Sequence, residues 1–262
     1  MSSGAVDSVV DPSADPRRRV PLESVHNFRD LGGYPARDGA VTRWHVLYRA
    51  DGLHRMTAAD VEIVRALRLR TVVDLRSPGE LERWGSFPRD LIDVELVHAP
   101  VIDRTWDHDA ADERTDHEFL VWAYRDMLAI GAPRFARAID ELARPGALPA
   151  VFHCAAGKDR TGLLAALLLE SLGVPRPVVL VDYGLTAASM HRMREWLAVN
   201  QPELAARMAS APPALLAAVP SALGEVLDGL DAEHGGVREY LRSIGVAAAS
   251  LDALADQLLV HS

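Results

Sequence analysis

The sequence predicts an α/β fold in which helices flank a mainly parallel central sheet. Three observations support this prediction. Short apolar runs typical of buried strands recur along the chain, and segments with helical periodicity separate them. About half of the 262 residues are hydrophobic, which is enough for one sizeable core. We therefore expect one domain over residues 20–262.

The N-terminal elements are predicted from charge, turn and capping patterns. Residues 1–19 contain charge and proline without apolar periodicity, so we expect a disordered tail there. The pair Asp38–Gly39 predicts a hairpin turn, because both residue types tolerate a positive φ, and a strand is expected at His45–Tyr48. Thr57 is predicted to cap a helix that runs to about Arg68.

Three later apolar runs predict buried strands of the central sheet, at Thr71–Leu75, Val94–Val97 and Ala150–His153. Helices are expected between the last two strands, at Glu118–Ile130 and Pro133–Ala143. Strands that alternate with helices of this length favour parallel pairing, because the helices provide the crossover connections.

From Pro175 onward the sequence is strongly helical, and proline or glycine residues divide it into several predicted helices. These breaks fall at Pro202, Pro212–Pro213, Pro220 and Gly235–Gly236. Residues 186–235 exceed what a small α/β core needs. We expect them to form an additional helical insertion or subdomain, either a lid over the functional site or a simple packing layer.

Charge and cysteine content restrict the partners and the compartment. The formal net charge of -9 argues against nucleic-acid partners and against broad attachment to anionic membranes. The longest apolar run, Leu163–Leu169, is far shorter than the roughly 20 residues that cross a bilayer, so no stable membrane insertion is expected. A single cysteine excludes an intrachain disulfide and fits a cytoplasmic location, while export without a signal sequence stays open. Nothing in the sequence indicates an oligomeric state.

The segment His153–Thr161, which reads HCAAGKDRT, joins an apolar strand to an apolar helix. The small residues Ala155, Ala156 and Gly157 allow the loop backbone to curl with its amides turned toward one centre. The helix that begins near Arg160 adds unpaired N-terminal amides and the positive end of its dipole. A phosphate-sized dianion is therefore expected to bind in this loop.

Four side chains of this segment have predicted chemical roles. A helix N-terminus and nearby cations favour the thiolate form of Cys154, which makes it the candidate nucleophile. Arg160 has the planar fork that holds two phosphate oxygens. Thr161 is expected to donate its hydroxyl to the sulfur and so to ease departure of the thiolate from a phosphocysteine. His153 is expected to orient the loop.

The spacing of Cys154, Arg160 and Thr161 resembles the active-site loop of the protein tyrosine phosphatase superfamily. The longer form HCAAGKDRTG is similar to bacterial tyrosine and dual-specificity phosphatases that also act on phosphoinositides. Two further segments resemble that family and occur in its order: NFRDLGG at Asn27–Gly33, and VDLRS at Val73–Ser77, which is followed by Glu80.

This resemblance implies a protein tyrosine phosphatase-like fold and a phosphomonoester hydrolase that needs no metal and no cofactor. Its substrates would be phosphotyrosine proteins, with phosphoserine, phosphothreonine, phosphoinositides or small phosphoesters as further candidates, and the reaction would pass through a phosphocysteine. Lys158 matches a lysine in the loops of phosphoinositide phosphatases, where an extra cation suits a substrate with several phosphates.

The sequence contains no Trp-Pro-Asp motif, which would indicate the general acid in ordinary eukaryotic tyrosine phosphatases. Two residues are therefore candidates for this role. The resemblance suggests Asp159, inside the loop, as the acid. Asp74, at the end of a predicted strand, is the alternative, although it could instead pair with Arg76. Arg29 and Asp30 are expected to support the site as a structural ion pair.

Two rival functions follow from the same residues. Sulfur transfer and arsenate reduction usually need further thiols, and this chain has none. A catalytically silent phosphate-binding module would need only the loop and Arg160, but the presence of Cys154 and Asp159 favours turnover. The histidines lack any tight ligand spacing, so no metal site is predicted.

Overall fold

The computed structural model describes residues 15–102, 114–209 and 213–261. The strands in these residues are short and fall mostly in the N-terminal part of the chain. They are β1 (Arg29–Asp30), β2 (Ala40–Thr42), β3 (Leu47–Ala50), β4 (Thr71–Asp74), β5 (Glu95–His98), β6 (Ala150–His153) and β7 (Leu259–His261).

Helices make up most of the remainder, and they dominate after β6. They are α1 (Ala58–Ala66), α2 (Pro78–Trp84), α3 (Asp116–Ile130), α4 (Ala132–Ala143), α5 (Asp159–Ser171), α6 (Arg176–Gly184), α7 (Thr186–Asn200), α8 (Pro202–Ala209), α9 (Pro213–Leu216), α10 (Pro220–His234), α11 (Val237–Ser243) and α12 (Ala248–Leu258). Among the described helices, none combines the length and the apolar character needed to span a bilayer.

The predicted α/β architecture with a mainly parallel sheet is confirmed. The central five-stranded sheet has the order β1, β3, β6, β4, β5; its last four strands are parallel, and β1 is an antiparallel edge. Ala50 and Asp74, the last residues of β3 and β4, are both register partners of His153 in β6. The residues that follow these three strands therefore meet at one edge of the sheet, where ligands bind in open α/β sheets.

Both faces of the sheet are buried, which explains the continuous apolar runs in its strands. Successive strand residues point to opposite faces. Val72 and Val151 belong to a cluster with the apolar side of α1, whereas Val73 and Phe152 belong to a larger cluster with α3, α4 and α5. The site at the edge of the sheet is thus fixed from two sides.

Local predictions near the N-terminus are largely confirmed. Asp38 and Gly39 both have positive φ, at 57° and 74°, as the predicted turn requires. Thr57 caps α1 in a reciprocal capping box with Asp60. The strand predicted at His45–Tyr48 begins two residues later, because His45 itself has a φ of 63° and belongs to the turn before β3.

Residues 1–14 of the expected tail lie outside the described residues, but residues 15–19 are packed on the domain. Arg18 is buried and donates hydrogen bonds to the carbonyls of Asp30 and Gly32, both at 2.9 Å. Its guanidinium lies 3.8 Å from the ring centroid of Tyr34. Arg18 therefore belongs to the folded domain, ahead of the boundary expected at Val20.

The C-terminal segment breaks where proline and glycine predict. Helices α8, α9 and α10 begin at Pro202, Pro213 and Pro220, and α10 ends at Gly235 with a φ of 82°. The expected insertion over residues 186–235 divides into two parts. Helix α10 belongs to the main core, whereas α7 and α8 build a separate cluster around Met193.

A buried carboxylate in α6 connects the edge of the sheet to the helices. Asp182 accepts hydrogen bonds from Arg29 Nε (2.9 Å), Arg49 Nη1 (2.7 Å) and the Tyr34 hydroxyl (2.7 Å). Burial acts to raise the pKa of Asp182, but the two guanidinium groups outweigh it and hold this pKa well below its usual range. Asp182 is therefore ionised at neutral pH.

The expected Arg29–Asp30 ion pair is not formed. Consecutive residues of β1 point to opposite sides of the strand, so the two side chains cannot face each other. Arg29 binds Asp182, and the carboxylate of Asp30 accepts the amides of Gly32 and His45, each at 2.8 Å. Arg29 thus belongs to the network around Asp182 rather than to a pair with Asp30.

We predict that Asp182→Asn lowers the free energy of unfolding by about 3–5 kcal/mol, because it leaves two buried guanidinium groups without a counter-charge. Urea unfolding at pH 7 measures this loss. Asp228→Asn is the matched control: its carboxylate pairs with Arg176 but is mostly exposed, so its removal costs less than about 1 kcal/mol.

The difference in unfolding free energy between wild type and Asp182→Asn is expected to depend on pH. The folded-state pKa of Asp182 is depressed, so its contribution is complete above the unfolded pKa of about 4 and decreases as the pH falls below it. Two results would contradict the stabilising role of the Asp182 carboxylate. One is a stability difference between wild type and Asp182→Asn that increases as the pH is lowered. The other is a loss of stability in Asp182→Asn no larger than that in Asp228→Asn.

Candidate active site

The loop singled out by the sequence lies at the edge of the sheet where β3, β4 and β6 end. Cys154 follows β6 directly and is 2% exposed, and α5 begins at Asp159. The predicted strand, loop and helix are thus present, and the cysteine is buried at the start of the loop rather than exposed on the surface.

Three successive loop carbonyls are turned outward and bound by the surrounding scaffold. The carbonyl of Ala155 accepts the amide of Gly52 at 3.0 Å. Asn27 Nδ2 donates to the carbonyls of Ala156 and Gly157, at 3.2 and 2.9 Å. The NFRDLGG segment therefore holds the loop directly, through its first residue.

Arg49 extends this scaffold into the core. Its Nη2 donates to the carbonyl of Gly157 at 2.8 Å, while its Nη1 binds Asp182. Arg29, which also binds Asp182, donates to the side-chain oxygen of Asn27. Asn27 and Arg49 are the two side chains that hold the carbonyls of Ala156 and Gly157. Both are thus positioned, directly or through Arg29, by the buried carboxylate of Asp182.

This arrangement leaves the loop amides for a ligand. In the described part of the chain, the amides of residues 155–157 have no backbone acceptor, and the outward carbonyls place these amides on the inner side of the loop. Gly157 has a φ of 64°, and a Cβ atom there would lie 2.6 Å from the carbonyl oxygen of Ala50. Only glycine permits this curl, which forms a concave site for an oxyanion.

Glu80 orients the arginine of the loop. Its two carboxylate oxygens accept Arg160 Nη1 and Nη2, at 2.5 and 2.8 Å, and it also caps α2 through the amide of Ser77. Burial acts to lower the pKa of Arg160, but the hydrogen bonds and the charge of Glu80 outweigh it and raise this pKa above its usual value. The guanidinium is therefore fixed as a cation near the sulfur.

Asp159 lies at the rim of the loop with its side chain 19% exposed. Its Oδ1 accepts the hydroxyl of Tyr124 at 2.7 Å, and that hydroxyl also bonds to the hydroxyl of Tyr183. Burial and the nearby carboxylate raise the pKa of Tyr124 well above its usual value, so the phenol stays a donor. Tyr124 thereby fixes one oxygen of Asp159.

Asp74, the alternative acid, forms the pair with Arg76 that the sequence suggested. Arg76 Nη2 and Nε both donate to it, at 2.6 and 3.0 Å. Burial acts to raise the pKa of Asp74, but His153 and Arg76 outweigh it and lower the pKa to about 2. Asp74 is thus an ionised group held by a cation, which disfavours it as a proton donor at neutral pH.

His153 directly precedes Cys154, Thr161 lies in the first turn of α5, and both side chains are fully buried. His153 Nδ1 lies 3.2 Å from the carbonyl of Cys154 and its Nε2 lies 3.5 Å from Asp74, while burial lowers the pKa of the imidazole. The hydroxyl of Thr161 has no hydrogen-bond partner among the described residues. The bond expected between Thr161 and the sulfur of Cys154 is not formed in this arrangement.

The position of Lys158 differs from that expected of a cation that binds a substrate phosphate. Its side chain is 1% exposed, and its Nζ donates to the carbonyls of Leu215 and Ala217, at 2.9 and 2.8 Å. The same Nζ lies 3.3 Å from Asp159 Oδ1. Lys158 therefore connects the loop to α9 and to the residues after it.

Sequence reasoning missed a carboxylate at the end of β3. Asp51 is buried and accepts the amides of His26 (3.1 Å) and Asn27 (2.8 Å), and also Arg55 Nη2 (2.5 Å). It fixes the backbone of the NFRDLGG segment against the sheet. Its position shortly after the predicted strand His45–Tyr48 is the signal that could have identified it, because Asp74 was recognised from a similar position near the end of a predicted strand.

His54 is a second residue that the sequence did not reveal. Its Nδ1 lies 3.1 Å from Arg76 Nη1. Because a guanidinium only donates, Nδ1 accepts and the proton of the neutral imidazole resides on Nε2. Burial, together with Arg55 and Arg76, lowers the pKa of His54 to about 4, so the ring is neutral at physiological pH.

A cavity of about 590 Å³ opens over the loop residues Ala155 and Ala156. His54 lies on its wall and stacks on Trp84, with ring centroids 6.1 Å apart and planes at 12°. Helices α7 and α8 supply most of the remaining wall, which is largely apolar: Met193, Trp196, Leu197, Gln201, Leu204 and Met208. A substrate would therefore reach the loop between apolar and aromatic side chains.

The chain is similar in sequence to known tyrosine phosphatases. The chain is 32% identical over 248 residues to a provisionally named tyrosine-protein phosphatase of Cupriavidus necator, covering 88% of this chain and 85% of that protein. It is 28% identical to the triple specificity protein phosphatase PtpB of Mycobacterium tuberculosis, over 91% of this chain and 98% of PtpB. A solved structure of TpbA from P. aeruginosa in complex with phosphotyrosine aligns over 76% of this chain and 99% of that one, with 19% identity and a TM-score of 0.33.

The family model described as "Tyrosine phosphatase family" matches residues 20–260, which is nearly the whole chain and includes every loop and scaffold residue described above. The chain therefore belongs to the tyrosine phosphatase family of hydrolases.

Proposed function

We propose that the chain is a cysteine-dependent phosphomonoester hydrolase that acts on phosphotyrosine through a phosphocysteine intermediate. The observation that supports this most strongly is the loop after β6. Its carbonyls are bound to the scaffold from outside, its amides are left for an oxyanion, and Arg160 is fixed by Glu80 near Cys154.

In the first step, the thiolate of Cys154 attacks the phosphorus in line with the ester oxygen. The S–P bond forms as the P–O bond breaks, and the loop amides with Arg160 stabilise the equatorial oxygens. The leaving phenolate takes its proton from Asp159. We assign the acid role to Asp159 because it lies at the rim, whereas Asp74 is bound by Arg76.

In the second step, water attacks the phosphocysteine and gives its proton to the carboxylate of Asp159. The S–P bond breaks, and the electron pair returns to the sulfur as the thiolate. Inorganic phosphate is released and both groups regain their starting states. Arg160 and the loop amides stabilise the charge in both steps, so catalysis depends mainly on preorganised electrostatics.

The cavity supports an aromatic phosphoester as the preferred substrate. The stacked His54 and Trp84, together with Trp196, provide apolar surface for a phenyl ring beside the loop. The name of PtpB assigns triple specificity to that relative. By this similarity we include phosphoserine, phosphothreonine and phosphoinositides in the proposed substrate range.

We predict that Cys154→Ser reduces phosphate release from 4-nitrophenyl phosphate to background, because the hydroxyl is not ionised at neutral pH. The assay is carried out with a chelator, and circular dichroism verifies that the variant is folded. Arg194→Gln, a change at an exposed position of α7, is the control and keeps wild-type activity. Equal background signals from wild type and Cys154→Ser would instead support the catalytically silent phosphate-binding module.

We predict that Asp159→Asn lowers kcat for phenyl phosphate by about 10²–10⁴-fold, the usual contribution of a general acid. The loss should be much smaller for 2,4-dinitrophenyl phosphate, because its leaving group departs without protonation. Asp74→Asn is the matched comparison and should reduce both rates by a similar factor. A leaving-group dependence seen with Asp74→Asn and not with Asp159→Asn would reverse the assignment.

We predict that Lys158→Met lowers kcat/KM by a similar factor for an aryl phosphate and for a short-chain phosphatidylinositol bisphosphate. The reason is that the amine of Lys158 binds two main-chain carbonyls of this protein. Steady-state kinetics on both substrates test this. A loss confined to the bisphosphate would restore the role in which Lys158 binds a second phosphate of the substrate.

A further inference from the structure

A second cavity, of about 480 Å³, lies between the segment before β1 and the first turns of α7. Its wall includes Arg19, His26, Asn27, Arg29, Ser189 and Arg192. Asn27 is shared with the catalytic site, because its side-chain amide holds the loop carbonyls. One turn further along α7, Trp196 lines the first cavity. The two cavities are therefore neighbours along one helix.

Most charged groups around this second cavity are already paired. Arg29 binds Asp182, and Asp15 binds Arg17. Asp51, which lies behind His26, binds Arg55. Arg18 donates to main-chain carbonyls. The nearby carboxylates of Asp15, Asp51 and Asp182 are thus each paired with another arginine, and none of them forms an ion pair with Arg19 or Arg192.

Arg19 and Arg192 form no ion pair within the described residues. Arg192 Nη2 donates to the carbonyl of His26 and to the hydroxyl of Ser189, both at 3.0 Å. These bonds fix the guanidinium without neutralising it. Burial first, and then the charge of Arg19, lower the pKa of Arg192, and the charge of Asp51 acts to raise it without reversing the shift. The cavity therefore contains uncompensated positive charge.

Buried polar atoms of the same wall give an independent indication. His26 is 8% exposed, and neither its Nε2 nor the Nε of Arg192 has a hydrogen-bond partner in the described parts of the chain. A buried donor without an acceptor costs about 1–3 kcal/mol. An oxyanion in the cavity would supply acceptors to these groups as well as the missing negative charge.

We infer that this cavity binds a phosphate group, held between the guanidinium groups of Arg19 and Arg192 beside His26. Phosphate suits the site because the planar fork of an arginine matches its oxygens. The group would be either free phosphate or a second phosphate of a multiply phosphorylated substrate. The inference is independent of the catalytic role of Cys154.

The test uses the full chain in an Arg160→Ala background, in which the catalytic loop binds phosphate weakly. The imidazole resonances of His26, assigned by loss in His26→Gln, are followed by NMR as inorganic phosphate is added. We expect saturable shifts, and we expect Arg19→Gln and Arg192→Gln each to weaken the apparent affinity by about tenfold. Arg194→Gln, an exposed change on the same helix, should leave it within about twofold.

A second arm separates the two sources of the phosphate. The same titration is repeated with inositol 1-phosphate and inositol 1,4-bisphosphate. If only inorganic phosphate binds, and the arginine variants weaken that binding, the site is assigned to free phosphate. If inositol 1,4-bisphosphate binds more tightly than inositol 1-phosphate, and the arginine variants weaken that binding, the site is assigned to a second phosphate of the substrate. Both outcomes support the site.

Three results would overturn the inference: no saturable shift at His26 with any of these probes, unchanged affinity in both arginine variants, or an equal loss in Arg194→Gln. Arg19 is exposed and makes no side-chain hydrogen bond in the described structure, so Arg19→Gln remains informative if Arg192→Gln fails to fold. With Arg160 restored, aryl phosphate turnover by Arg19→Gln should equal that of wild type.

Discussion

One buried carboxylate determines where the loop between β6 and α5 lies. Asp182 neutralises Arg29 and Arg49, and these two arginines position the groups that hold the loop carbonyls of Ala156 and Gly157. Removing such a carboxylate would leave charges in the interior, so the network either forms completely or is strongly unfavourable. The shape of the oxyanion site is therefore coupled to the stability of the core.

The sequence predicted the parts of the site that are local in the chain. Residues 153–161 reveal the loop, because small residues between a strand and a helix have few structural alternatives. Thr57 and Pro202 mark helix starts through capping and proline geometry, which also act over a few residues. The parallel sheet was predictable because buried strands read as apolar runs.

Contacts between distant residues were not predictable in the same way. Arg49 and Asp182 are 133 residues apart, and an aspartate within a helical segment is more typical of a solvated surface. Lys158 was expected to face the substrate, yet its amine binds carbonyls near residue 216. These partners depend on how α6 and α9 pack, which the residue pattern of a single sequence does not specify.

The solitary sulfur of this chain has a consequence for its redox chemistry. Oxidation of Cys154 to a sulfenic acid would normally be reversed through a disulfide with a neighbouring resolving cysteine. This protein contains no second thiol, so return of the sulfenic acid to the thiol requires an external thiol as reductant; a sulfenamide formed with a backbone nitrogen would need the same reductant. The duration of any peroxide inactivation is thus set by the reductant supply of the surroundings and not by the enzyme itself.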